Sequence, residues 1–263
     1  MLRSTIEFAE KYDVMVHGHL AESKSEYDFT MEQFGCSTVE WFRRNNLLGD
    51  RFYYAHCIHL DEQDIKVLAE TGTGVVSCPI SNMYLSSGSC QVRNIMDAGV
   101  ERIGLGVDGA ASSNSSNMME EMRVAYLLNR LTHEENACTS EDILYMATAG
   151  GAKALGRNDI GTLVPGKAAD LTLLDWSSLS YAGGRNDPAD CIVRSGDARM
   201  VDTVIVNGEI VVKKRRLLRI DEWQKSAYAD EISHELLQRA SKHFLALQEE
   251  IISSVQESTG GAL

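Results

Sequence analysis

Four short apolar runs, each followed by an amphipathic stretch, fill the first 135 residues, and no other feature of the chain constrains its fold as strongly. Residues 14–20, 52–56, 74–78 and 102–107 read as strands. Residues 27–44, 61–71, 92–98 and 118–131 read as the helices between and after them, with Gly72 and Gly99 closing two of these. Regular alternation of this kind implies a parallel sheet with covering helices, because parallel neighbours need a long crossover. With 44% hydrophobic residues in 263, the chain can bury a sizeable core.

The polar residues of these units gather at one place. His19 and Glu22, His56, Ser77 to Asn82, and Asp108 all fall at or just past the C-terminal end of a strand. Ligands bind at that edge in a parallel β/α barrel and in an open doubly wound sheet alike. Gly104-Leu105-Gly106 lacks the third glycine of a dinucleotide loop, since Asp108-Gly109 follow. Alternation puts His17 and His19 on the same face of their strand. Glu22, three residues on, can reach over a group that His19 holds. Asp108 follows a run of Ile, Leu and Val, where a charge needs a partner: a metal ion or a buried arginine. Imidazoles and a carboxylate on rigid elements are what a water-activating metal requires. His59 reads as a helix-start residue before the N-cap Asp61. Cys57 reads as a structural thiol, having no organised base beside it.

Formal charge is −13, from 25 Lys+Arg against 38 Asp+Glu. A diffuse acidic surface argues against nucleic acid or an anionic membrane as the main partner. The six cysteines include no Cys-x-x-Cys pair, which points to free thiols in a reducing cytoplasm. No stretch approaches the roughly 20 apolar residues that span a bilayer. The N-terminal residues 1–8 are amphipathic and lack a signal-peptide core.

After a helix over 140–155 the character changes. The turn-rich stretch 161–170 leads into a strand at 171–175. Residues 201–206 and 209–212 read as a β-hairpin around Asn207-Gly208, the pair that a type I′ turn favours. Residues 160–216 thus form a small β module. Residues 177–190 read as a linker-like loop. The tail, 221–257, reads as an amphipathic helix or helix pair with Leu236, Leu237, Phe244, Leu247 and Ile251 on its apolar side. The expected organisation is 1–159, 160–216 and 217–263.

Several blocks in order carry a family resemblance. They are His19-Leu20-Ala21-Glu22, Ala55-His56-Cys57-Ile58-His59-Leu60, Cys78-Pro79-Ile80-Ser81-Asn82-Met83, Val107-Asp108-Gly109 with the Ser/Asn run after it, and 161–170. Together they resemble the amidohydrolase superfamily, in the branch holding 8-oxoguanine deaminase, hydroxyatrazine-type aminohydrolases and S-adenosylhomocysteine deaminase. The form of the Asp108 block leans towards the 8-oxoguanine deaminase group. The resemblance implies an α/β fold: the C-terminal half of a TIM-like (β/α)8 barrel, strands 5–8, then part of a small β-sandwich and C-terminal helices.

The same resemblance implies His19 and Asp108 as metal ligands, with Zn2+ as the metal and Fe2+ the alternative. Glu22 is implied to shuttle protons beside the substrate ring. His56 is implied to orient the hydroxide on the metal, and Asp108 to accept a proton as well as bind. His17 has no implied ligand role. The implied reaction is hydrolytic deamination of an aminated purine or related heterocycle, releasing ammonia. The small-molecule substrate would need the N-terminal half of the barrel, or a homo-oligomer, to complete the site. Two departures stand out. Ser77 lies where the family usually has His before Cys-Pro, so a substrate-side contact is expected to differ. No upstream strand carries the family's first His-x-His. The alternatives are an incomplete or split-gene chain that is inactive by itself, or a dechlorinase or cyclic-amide hydrolase on the same scaffold.

Overall fold

The computed structural model describes residues 2–259, with side chains from residue 4 to residue 244. Leu247 and Ile251 of the expected apolar stripe lie outside the described side chains, as do residues 1–3 of the amphipathic N-terminus. The chain forms two compact units, Met1–Ile210 and Val211–Leu263.

The first unit is built on a four-stranded sheet: β1 (Val16–Leu20), β2 (Phe52–His56), β3 (Gly74–Ser77) and β4 (Ile103–Leu105), in that spatial order. All three pairings are parallel, as the alternation requires; His19 lies opposite Ala55, Tyr54 opposite Val75, and Val76 opposite Gly104. Helix α1 (Leu2–Tyr12) precedes β1. The expected helix over 27–44 is two helices, α2 (Lys24–Phe34) and α3 (Thr38–Arg44). Gly35, at φ 66°, ends the first, and the Ser37 side chain caps the second. These are ordinary stop and start signals that a continuous apolar pattern conceals.

Helix α4 (Glu62–Thr71) opens with an Asp61/Asp64 capping box and closes at the left-handed Gly72. Between β3 and β4 lie α5 (Pro79–Tyr84) and α6 (Val92–Asp97). After β4 come α7 (Ala110–Ser113) and α8 (Met118–His133). The expected helix over 140–155 is α9 (Ser140–Tyr145) and α10 (Gly151–Ala154), joined by a π turn over Met146–Gly150. The π turn lies where the backbones close in. A Cβ on Gly150 would sit 2.2 Å from the Ile103 carbonyl, and one on Gly104 3.0 Å from Gly151 Cα. Helix α11 (Pro188–Ser195), with Asp187 as cap and Pro188 in its first turn, starts at the end of the expected linker over 177–190.

Leu20, Phe52, Tyr54, Val75 and Ile103 pack with Val39, Leu68, Ile95, Ile143 and Met146 in one core. At the N-terminal ends of the strands, Arg102 donates to the carbonyls of Asp50, Gly72, Lys153 and Ala154. That guanidinium ties together the loops that enter β2, β3 and β4. Also in this unit, β5 (Leu171–Leu174) pairs antiparallel with β6 (Val201–Val206). Asn207 and Gly208 both take positive φ, 49° and 81°, as a type I′ turn demands. Strand β7 (Glu209–Lys213) pairs antiparallel with β8 (Arg216–Leu217), and the long helix α12 (Glu222–Thr259) follows in the second unit. Leu236, Leu237 and Phe244 on it are exposed. Among the described residues no helix is long and apolar enough to cross a membrane.

Candidate metal centre at the strand ends

The C-terminal ends of the strands share an unusual backbone. Ala21 after β1, His56 and Cys57 at the end of β2, and Asp108 after β4 all have positive φ, between 49° and 73°. None is glycine, so each costs on the order of 1–3 kcal/mol and persists only where its surroundings impose it. At the ends of β1 and β2 they are imposed: the Cys57 N–H donates to the Leu20 carbonyl, and the Ile58 and His59 N–H groups both donate to the Ala21 carbonyl.

These bends bring four of the sequence-selected residues together. Ligand atoms of His19, His56 and Asp108 all lie within 4.8 Å of one another. The His19 and His56 rings stack at 5.2 Å between centroids. Glu22 Oε2 lies 3.7 Å from His56 Nε2. His19 is exposed, whereas His56 is buried at 1% exposure. His17 lies outside the cluster: its ring stacks on Tyr53 at 4.6 Å. His59 turns to the Ser87 carbonyl, 3.0 Å from Nε2, and Asp61 caps α4. Cys57 is fully buried, and burial pushes its thiol well above the usual range. Ser77, where the resemblance leads one to expect histidine, is buried.

His56, Asp108 and Glu22 each have a specific support. His56 Nδ1 is 2.7 Å from Asn82 Oδ1. With that oxygen as acceptor, Nδ1 carries the proton and Nε2 keeps its lone pair. His56 Nε2 is buried and has no hydrogen-bond partner. Asp108 Oδ2 accepts from Ser81 Oγ at 2.5 Å and from Ser112 Oγ at 3.0 Å. Burial opposes the charge on Asp108, but the hydroxyls of Ser81 and Ser112 and the Gly109 N–H outweigh it, leaving the carboxyl below its ordinary range. Glu26 accepts from the Ala21 and Glu22 N–H groups, 3.0 Å each, and so fixes the turn that carries Glu22.

Sequence reasoning gave no role to Ser81, Asn82, Ser112 or Glu26. Glu26 had a usable signal, because Ser23-x-x-Glu26 is the pattern of a capping box. Ser81 and Asn82 lay inside a recognised block with nothing local to separate them from a turn. A cleft of about 400 Å³ opens beside the cluster, lined by His19 and Asp108 together with His17, Tyr53, Val76 and Met146. A divalent metal suits this donor set: one buried imidazole nitrogen with a free lone pair, a second imidazole, and a carboxylate kept ionised.

A parallel sheet with acid, imidazole and carboxylate at its C-terminal edge sets potential metal donors beside an open cleft. The chain belongs to the amidohydrolase family, whose model matches residues 1–211. It is 40% identical over 239 residues to a 5-methylthioadenosine/S-adenosylhomocysteine deaminase of Desulforudis audaxviator, covering 90% of this chain and 55% of that protein. It is 43% identical over 208 residues to an 8-oxoguanine deaminase of Pseudomonas aeruginosa, covering 79% and 46%. A zinc-bound adenosine deaminase from Xanthomonas campestris superimposes with a TM-score of 0.85 at 31% identity, covering 88% of this chain and 53% of that one. The chain spans about half the length of the curated relatives it matches.

Proposed function

We propose that this chain carries the proton-transfer residues and part of the metal site of a zinc-dependent aminohydrolase acting on an aminated purine or related heterocycle. The observation that carries the reading is the cluster of His19, His56 and Asp108 within 4.8 Å, with Glu22 3.7 Å from His56. His19 and Asp108 are the residues that would hold the ion. A bound divalent ion would supply Lewis acidity, lowering the pKa of water towards neutrality. Asp108, kept ionised by the Ser81 and Ser112 hydroxyls, receives a proton from the attacking water. His56 Nε2 accepts a hydrogen bond from that water and orients it. Glu22, held by Glu26, delivers a proton to a ring nitrogen of the heterocycle as the water oxygen bonds to the ring carbon; the proton on Asp108 then passes to the exocyclic amine, the C–N bond to it breaks to release ammonia, and the new hydroxyl returns a proton to Glu22 as it becomes a carbonyl. The relatives at 40% and 43% identity are deaminases, which favours an amine over chloride as leaving group.

In this reading residues 1–159 are strands 5–8 of a (β/α)8 barrel, 160–216 a β module and 217–263 a helical segment. Parallel sheets have both faces covered. Here His17 and His19 on one face are exposed, so a further layer, from more chain or a second copy, belongs to the active unit. The test is ammonia release from 8-oxoguanine, S-adenosylhomocysteine, 5-methylthioadenosine and 5'-deoxyadenosine, with zinc added and the oligomeric state measured by light scattering. Zinc bound in stoichiometric amount, with release from one of these, is the expected result for the complete unit. Failure of that complete unit to bind zinc would refute the reading.

A further inference from the structure

One buried acid near the site has no part in the chemistry described. Glu121, on α8, is 0% exposed. Its Oε2 accepts from the Ile80 N–H at 3.2 Å, and its Oε1 has no hydrogen-bond partner. Ile80 lies in the first turn of α5, whose N-cap residue, Cys78, makes no side-chain cap hydrogen bond. The acceptor that a helix start normally takes from its own N-cap therefore comes from another helix. The next two residues of α5 are Ser81, which donates to Asp108, and Asn82, which holds His56 Nδ1. Ser81 and Asn82 are 0% and 1% exposed. Three consecutive residues thus connect α8 to both Asp108 and His56.

We propose that Glu121 is a positioning residue: by holding the Ile80 amide it fixes the start of α5, and through Ser81 and Asn82 it sets the orientation of Asp108 and His56. The inference rests on the reading of those two groups as metal-facing. A short helix capped only by its own residues frays easily in its first turn. Fraying would free the Asn82 amide and let the His56 ring change tautomer, removing the lone pair from Nε2. Groups that orient ligands in this way commonly govern metal affinity by 10–100-fold, on the order seen for outer-shell partners generally. Burial pushes the Glu121 carboxyl up to about 7. A glutamine there keeps the accepting oxygen and resembles the protonated acid.

The test compares wild type, Glu121→Gln, Glu121→Met and Asn82→Ala in the full chain. Zinc affinity is measured by competition with a chromophoric chelator, and the His56 ring tautomer by 15N shifts in metal-free protein. Wild type and Glu121→Gln should share one affinity and one His56 tautomer, protonated at Nδ1. Glu121→Met and Asn82→Ala should lose about tenfold or more in affinity and show mixed tautomers. A Glu121→Met protein that loses thermal stability but keeps both readouts would overturn the proposal. If Glu121→Met does not fold, an Asn82→Ala protein with an unchanged His56 tautomer and zinc affinity overturns it equally. Wild type that fails to bind zinc refutes the metal reading instead, and the tautomers still decide the positioning role.

Discussion

Glu121→Gln should raise stability at alkaline pH and leave it unchanged in acid. Glu121 is fully buried, and burial, with the nearby charges of Glu120 and Asp108, lifts its carboxyl from 4.5 to about 7 despite the Ile80 hydrogen bond. The Cys78 thiol, pushed up to about 12 partly by Glu121 itself, stays neutral throughout and does not compete. The folded chain therefore binds this proton more tightly than the unfolded chain does. Its stabilising effect is full below about pH 4.5, declines as pH rises, and is lost above about pH 7. A displacement from 4.5 to about 7, at about 1.4 kcal/mol per pH unit, is worth about 3 kcal/mol. Glutamine has no proton to lose, so the variant escapes the decline while keeping the Ile80 contact. Urea unfolding of both proteins at pH 5, 6, 7 and 8, with chelator present to exclude metal, isolates the effect as the difference between the two curves. The gap should be about 1 kcal/mol or less at pH 5 and reach about 3 kcal/mol at pH 8. Parallel pH profiles for the two proteins would refute the reasoning, and a less stable glutamine variant at pH 8 would reverse its sign.

Asp108→Ala should abolish zinc retention after dialysis, whereas Glu22→Gln should retain it, since one group is a proposed ligand and the other a proton carrier. Loss of zinc in the Glu22 variant would overturn that division. Gly150→Ala should lower stability by about 3 kcal/mol, because the added Cβ meets the Ile103 carbonyl at 2.2 Å and backbone has little room to yield. An unchanged melting temperature would contradict it. Arg102→Met should cost about 2–4 kcal/mol by stripping charged hydrogen bonds from four carbonyls. Zinc affinity should not change, because Arg102 works at the opposite ends of the strands; a parallel loss of affinity would argue against that separation. Cys78 and Cys90, pushed up to about 12 by burial, should resist a thiol reagent at pH 8 until the chain unfolds. Rapid labelling of either in the native chain would contradict their buried placement.

The parallel order of β1 to β4 was legible because it is a low-resolution property: apolar runs of strand length separated by helical ones admit few topologies. Breaks within helices were less legible. Gly35 and Ser37 split the stretch over 27–44, yet its apolar spacing continues through them. Helix α5 was missed because Pro79, Ser81 and Asn82 are turn residues as much as helix residues. Its cap comes from Glu121, some forty positions away, so no local pattern could announce it. Helix α11 is a different case, since Asp187-Pro188 was a readable start signal inside a segment taken for a linker. The residues His19, Glu22, His56 and Asp108 could be selected from sequence because chemistry restricts which side chains serve at strand ends. Their supports could not, because a serine or asparagine that orients a neighbour is composed like any loop.

The strain at the strand ends links the fold to the site. Ala21, His56, Cys57 and Asp108 occupy a region of backbone space that glycine takes without penalty. A sequence selected only for stability would place glycine there. Glycine at 56 or 108 would remove the imidazole or the carboxylate, so at those positions relief of strain and possession of the functional group exclude each other. At Ala21 and Cys57 that conflict is absent, and the bends are instead held by the Leu20 and Ala21 carbonyls, which accept from the Cys57, Ile58 and His59 N–H groups. The ends of β1 and β2 are thus bolted to each other before either His19 or His56 meets a ligand. A left-handed residue at the end of a strand turns the chain out of the sheet, which is how a group in a flat parallel array comes to sit over its edge. The bolts at β1 and β2, the Ser81 and Ser112 hydroxyls on Asp108, and the Glu26 carboxylate under Glu22 hold each group from a different element. A site held in this way is organised before it binds, so the cost of ordering it is borne in folding rather than at each encounter with substrate.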